Sequence, residues 1–223
     1  MKKISVALML ALIVLCSLGA EKISGYIGVS TGYEFNIIEA VIDRANGHAP
    51  QEKKMNFQGV PFYIEGETYF CPWVGGYYGL GIATFPTILE EDEISYKPFD
   101  DKAPVLYTSP YLGLALRYDF TDMFAMVLNT GLSYMAWKLP PVDEDIATPS
   151  DYIHMMNVKI DLAAAFHPKH NISVRVGLKV DTPVLTGFQY STASSGIRLG
   201  DTSATASGVK LVPYIGMGYA YGR

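Results

Sequence analysis

No stretch of this 223-residue chain is apolar for long enough to cross a bilayer as a helix, which takes about 20 residues. The longest such run, Ile4 to Cys16, covers 13 residues. Met1-Lys2-Lys3 precedes it and Ser17-Leu18-Gly19-Ala20 follows, which is the basic, apolar, small-residue order of a secretory signal peptide. Residues 1–20 are therefore expected to be cleaved, after Gly19 or Ala20, leaving 21–223 as one domain. Cysteine is scarce too, with two in the chain. If Cys16 leaves with the signal, only Cys71 remains and the mature chain makes no internal disulfide. Lipidation of Cys16 is disfavoured, because Ile13-Val14-Leu15 lacks the small residue that such processing needs.

A basic surplus is also missing. Seventeen Lys and Arg face 22 Asp and Glu, for a net charge of −5. Nucleic acid and anionic lipid reward clustered cations, so neither is an expected partner. The four histidines, at 48, 154, 167 and 170, fall on different elements or in a short turn without Cys or carboxylate partners, and no Ser or Cys sits in a recognisable elbow. Gly79-Leu80-Gly81 lies within a strand pattern and is no phosphate loop. The acidic runs Glu90–Glu93, Asp100-Asp101 and Asp143–Asp145 match no calcium loop and read as a solvated rim. No catalytic residue, metal or cofactor is expected.

What remains is an apolar surplus: 49% hydrophobic residues and a mean hydropathy of +0.17. Its periodicity places it. Ile172, Val174, Val176, Leu178 and Val180 alternate with Ser173, Arg175, Gly177 and Lys179, the period of a strand with one apolar face. Phe124, Met126, Leu128, Thr130, Leu132 and Tyr134 repeat it against Ala125, Val127, Asn129, Gly131 and Ser133. The same test predicts strands near 22–36, 57–70, 76–85, 105–119, 123–138, 152–167, 171–182 and 208–221. Their connections alternate short (71–75, 120–122, 168–170) and long (37–56, 86–104, 139–151, 183–207). One end of tight turns and one of long loops is the layout of an all-β, eight-stranded antiparallel up-and-down transmembrane β-barrel. Closure spares every backbone group from facing lipid unpaired.

Three features refine this reading. The second face of the strands is rich in small residues, such as Gly28, Ser30, Gly79, Gly81, Ala163 and Ala165. A narrow lumen favours these, whereas a soluble ligand-carrying barrel, the alternative, would show more Lys, Glu and Thr outside. Phe70, Trp73, Tyr78, Tyr118, Phe120, Phe124, Phe166, Tyr219 and Tyr221 gather beside the short turns, where an interfacial girdle belongs. The charges Glu65, Glu67, Arg117, Asp119, Lys159, Asp161, Arg175 and Lys179, together with Asp181 and Lys210, fall on the lumen side. They form either a salt-bridge network that blocks the bore or a polar lining that passes a small solute. Asn36 to Gly47 departs from the strand period. Ile38, Val41, Ile42 and Ala45 share a helical face, predicting a short amphipathic helix at the rim.

Tyr214-Ile215-Gly216-Met217-Gly218-Tyr219-Ala220-Tyr221 resembles the terminal-strand signal read by the outer-membrane barrel assembly machinery, with Gly222-Arg223 added after the usual final aromatic. The whole mature layout resembles the small OmpW-like and OmpX-like barrels, and its Tyr- and Gly-rich strands resemble spirochaete (treponemal) outer-membrane proteins. The resemblance implies a bacterial outer-membrane location with the long loops extracellular, lipid as the surrounding partner, and no enzyme activity. An OmpW-like barrel implies passage of small hydrophobic solutes with an opening toward lipid. An OmpX-like barrel implies a surface protein whose loops meet a host or neighbouring surface.

Overall fold

Alternation becomes geometry in the computed structural model, which describes residues 24–42, 51–85, 87–88, 105–138, 152–169, 171–189 and 204–222. The expected signal peptide and most of each long loop lie outside these residues. In chain order the strands are β1 (Ser24–Gly32), β2 (Glu34–Ile42), β3 (Gln51–Tyr69), β4 (Val74–Phe85), β5 (Thr87–Ile88), β6 (Val105–Thr121), β7 (Phe124–Lys138), β8 (Tyr152–Lys169), β9 (Ile172–Gln189) and β10 (Ala204–Tyr221). They make eight staves. β1 and β2 hold one register against β3 and one against β10, and β5 continues the register of β4 against β3. Every neighbouring pair is antiparallel, and β1 and β2 close the sheet by pairing with both β3 and β10.

The stagger can be read from the pairings. Stepping across partners from Tyr26 through Glu67, Tyr77, Gly113, Gly131, Lys159, Asp181 and Lys210 returns to Asn36, ten residues further along the first stave. For eight strands that shear tilts the staves by about 40° and leaves a bore just wide enough for side chains.

The predicted helix over Asn36 to Gly47 is corrected. Residues 36–42 continue the first stave, with Ile38 paired to Met55 and to Gly208; residues 43–47 lie outside the described set. Spacing of apolar residues at 38, 41 and 42 fits a helical face, but two neighbouring strands supply ladder hydrogen bonds, and tertiary pairing overrides so short a periodic signal. The first long connection is accordingly shorter than the pattern suggests, because β3 begins at Gln51. The connection after 182 also shrinks, since β9 runs to Gln189 and β10 starts at Ala204. Cys71 is disulfide-bonded in the full chain, so the single-cysteine expectation applies only to a chain without Cys16.

Burial follows parity. Along β7, Ala125, Val127, Asn129, Ser133 and Met135 are buried, while Phe124, Met126, Leu128 and Leu132 are exposed. The same alternation runs round the barrel, leaving Leu112 69%, Phe62 63% and Val176 59% exposed. A soluble carrier would have the sense reversed, so the outside is a face for lipid. Phe124 and Tyr134 lie ten residues apart on one stave. At ~3.3 Å per residue and a tilt of ~40°, that spans about 25 Å, the height of an outer-membrane apolar band. Trp73, Tyr118, Phe120, Phe124, Phe166 and Tyr219 are all exposed at the short-turn edge of this band, where Tyr118 meets Phe120 edge to face and Phe120 meets Phe124 at a tilt. In a Trp137→Phe background, Trp73 fluorescence should be quenched strongly by lipids carrying bromine near the headgroup and weakly by lipids brominated at the chain ends.

The staves, 15 to 19 residues long, exceed the roughly 9–11 residues a tilted strand needs to cross. The surplus lies at the long-loop end, which stands about 10–20 Å beyond the apolar band.

Candidate functional site

The bore is filled by tyrosines and ion pairs. Tyrosine fits here because glycine makes room for it. At Gly79, for example, an added Cβ would lie 2.3 Å from Tyr111 Oη. Gly113 and Gly131 face one another in register, and a Cβ on Gly113 would stand 2.1 Å from the Thr130 carbonyl oxygen, so this wall contact also needs glycine. Tyr26, Tyr63, Tyr69, Tyr77, Tyr107, Tyr111 and Tyr214 are all buried.

Register sorts the charges into three tiers. Nearest the short turns, Arg175 donates to both oxygens of Glu67, one at 2.8 Å, and its guanidinium lies 3.5 Å from the Tyr26 ring centroid. Tyr69 Oη and Asn129 Nδ2 also donate to Glu67, at 2.7 and 2.9 Å. In the middle tier Lys179 Nζ lies 2.9 Å from Glu65 and 3.2 Å from Asp161, over the Tyr214 ring. Tyr214 and Tyr77 donate to Asp161, at 2.9 and 3.2 Å. In the outer tier Asp181 takes Lys210 at 2.8 Å, Lys159 at 3.2 Å and Ser133 Oγ at 3.0 Å. Beside it, Tyr107 and Asn36 donate to Glu34, and Lys210 lies 3.5 Å from Tyr107 Oη. Met135, Met155 and Ile38 are buried further out.

Of the residues singled out by sequence, Glu65, Glu67, Lys159, Asp161, Arg175, Lys179, Asp181 and Lys210 meet in this network, each 3% exposed or less. Arg117 and Asp119 do not. They pair with one another at 2.7 Å at the short-turn mouth, where Asp119 is open to solvent. Strand parity aims Arg117 inward, and its guanidinium lies 5.6 Å from the centroid of the Tyr69 ring, at the lower edge of the plug, while its ion pair is with Asp119. Parity also points to Glu34, which continues the inward series Ser24, Tyr26, Gly28, Ser30 and Gly32 inside the strand expected over 22–36, although the lumen charges read from the sequence do not include it. The tyrosines were legible as inward positions, but not as the material that fills the bore.

Among the described residues the ladder is broken between β6 and β7 at Ser109-Pro110 and shifts register between β8 and β9 at Met156-Asn157, and on the first stave it is broken toward both neighbours. Pairing of the first stave stops at Thr31 and Gly32, resuming at Glu34 with β3 and at Phe35 with β10. Pro61 and Pro213 stand opposite on the two neighbours, and proline has no N–H for the ladder. Thr31 Oγ1 donates instead to the Pro61 carbonyl at 2.9 Å, and Tyr33 N to the Pro213 carbonyl at 3.1 Å. An apolar groove of about 370 Å³ lies outside the same staves, lined by Val29, Thr31, Phe62, Val174, Ile215 and Met217 among others.

No protein-family model and no characterised protein matches the sequence. Solved structures do. The outer membrane protein OprG from Pseudomonas aeruginosa superposes with a TM-score of 0.55 at 11% identity, over 90% of this chain and 95% of that one. Neisserial surface protein A superposes with a TM-score of 0.51 at 8% identity, over 87% and 96%. This chain has the fold of the small outer-membrane β-barrels. Identities this low carry architecture alone. Within that architecture, the lumen contents and the proline-flanked gap are features of this barrel's own residues.

Proposed function

We propose that this protein is an outer-membrane barrel closed along its axis, a rigid mount that carries its long loops clear of the bilayer on the cell exterior, where they contact a host or neighbouring surface. The observation that carries this reading is the plug. Nine buried ionisable side chains at three depths are held by ion pairs and hydrogen bonds to one another and to tyrosines. Opening an axial pore would break several buried ion pairs at once, each costing about 3–5 kcal/mol if one partner is left alone. The protruding stave ends support the second half of the reading, since they lift the loops away from the headgroups. Assembly through the C-terminal strand accords with β10 closing the barrel against β1.

Purified protein in planar bilayers should give no stepwise ionic conductance; stable unitary currents would sink the closed-plug reading. Orientation is tested separately. A cysteine introduced at Asp145 should react with a membrane-impermeant maleimide on intact cells, whereas one at Asp122 in a short turn should react only after lysis.

The proline-flanked gap favours a second reading, sideways passage of a small hydrophobic solute between lumen and lipid at Gly32 and Tyr33. Restoring ladder donors with Pro61→Ala and Pro213→Ala should then slow uptake of an apolar solute into proteoliposomes while leaving ionic conductance nil. Unchanged uptake in the double variant would remove this reading.

A further inference from the structure

Charge in the plug does not balance. Among the described residues five buried carboxylates, Glu34, Glu65, Glu67, Asp161 and Asp181, face four buried cations, Lys159, Arg175, Lys179 and Lys210. The contacts locate the surplus. Glu67 and Arg175 neutralise one another. Asp181 holds two lysines, and the second of them, Lys210, reaches Glu34 through the Tyr107 hydroxyl, so the outer tier is neutral. The middle tier is left with Glu65 and Asp161 sharing Lys179 alone.

Within that tier the two carboxylates differ. Asp161 also accepts from Tyr214 and Tyr77, whereas Glu65 receives Lys179 and Tyr111 on Oε2 and nothing on Oε1. Glu65 Oε1 is buried, and two neutral oxygens stand on the inward face of the neighbouring stave. Gly28 is the cross-strand partner of Glu65, and the Tyr26 ring tip covers Gly28, with Oη 2.1 Å from where a Cβ would stand. Ser30 is two residues along on the same inward face, diagonal to Glu65. Both hydroxyl oxygens are buried and have no hydrogen-bond partner. A buried half-compensated carboxylate and bare hydroxyls are each costly. One small cation relieves both, and an all-oxygen ligand set suits a hard ion.

We propose that Glu65 Oε1, with the hydroxyls of Tyr26 and Ser30, binds one dehydrated alkali cation, sodium or potassium, as the counter-ion that completes the plug. A single monovalent charge matches the deficit of one; a divalent ion would overshoot it beside Lys179. The proposal goes beyond the surface-mount reading and reads out through stability, so it stands or falls independently of conductance or loop binding.

The test uses the full mature barrel refolded into nanodiscs of uncharged lipid, unfolded in urea at fixed pH and ionic strength. With salt at about ten times the dissociation constant, the unfolding equilibrium constant should be ~tenfold smaller in sodium or potassium chloride than in choline chloride, whose cation is too bulky for the lumen. Glu65→Gln should abolish that difference, and Ser30→Ala should reduce it. If Glu65→Gln does not fold, wild type alone decides, because its bound sodium should broaden the sodium NMR signal and potassium should reverse the broadening. Equal stability in choline and sodium with no sodium broadening would overturn the proposal and leave a proton on the tier as the neutralising charge. An alkali dependence that survives Glu65→Gln would overturn the site.

Discussion

Arg175→Met is expected to cost the barrel about 3–5 kcal/mol, because it strands the buried Glu67 carboxylate without its cation. Tyr69 and Asn129 still donate to that carboxylate, but two neutral hydrogen bonds do not replace a bidentate guanidinium. The loss should appear in urea unfolding within lipid vesicles, followed by the fraction of heat-modifiable, fast-migrating folded protein on gels. Glu67→Gln with Arg175→Met should recover most of the loss, since removing both charges removes the desolvation penalty that the pair was offsetting. The coupling between the two sites, read from the double-mutant cycle, should then be several times larger than for Arg117 and Asp119 at the mouth, where exposed pairs contribute about 0.2–1 kcal/mol. Equal coupling at both places would mean that the plug is hydrated rather than sealed.

Leu162→Arg carries the second large effect. Leu162 is exposed on β8, midway between the aromatic edge and the outer limit of the apolar band. A lipid-facing arginine at that depth should cost about 2–4 kcal/mol, whereas Tyr118→Arg at the girdle should cost about 0–1. Vesicle unfolding measures both. A flat profile, with the two variants alike, would show that the apolar exterior is not embedded in hydrocarbon, and it would return the soluble-carrier reading that the exposure pattern disfavours.

The wall was legible because its signal is local and repeated. Residues 172 to 180 state their two faces within nine positions, and the short connections at Cys71 and at Thr121 announce where the chain reverses. Aromatic placement was legible for the same reason, since Trp73 and Phe120 lie next to turns in sequence as well as in space. The lumen was half legible. Parity put Glu65, Glu67, Lys159, Asp161, Arg175 and Lys179 on the inner face, but parity carries no depth. It therefore grouped Arg117 and Asp119, which pair with one another at the short-turn mouth, with the charges of the three tiers.

Pairing at a distance decided the rest. Glu67 meets Arg175 across 108 positions, and Tyr107 meets Glu34 across 73. Those partners follow from a shear of ten residues, a closure property that no single segment contains. The helix expected from Asn36 failed over residues 36–42 for the same reason: a few apolar residues fit either period, and only the adjacent β3 and β10 made the extended form the one with its backbone hydrogen bonds satisfied. Composition and alternation thus specified a lipid-facing barrel with charges inside it. Whether those charges open a path or seal it depends on which carboxylate stands at the height of which cation, and height is set by the stagger of eight staves closing on themselves.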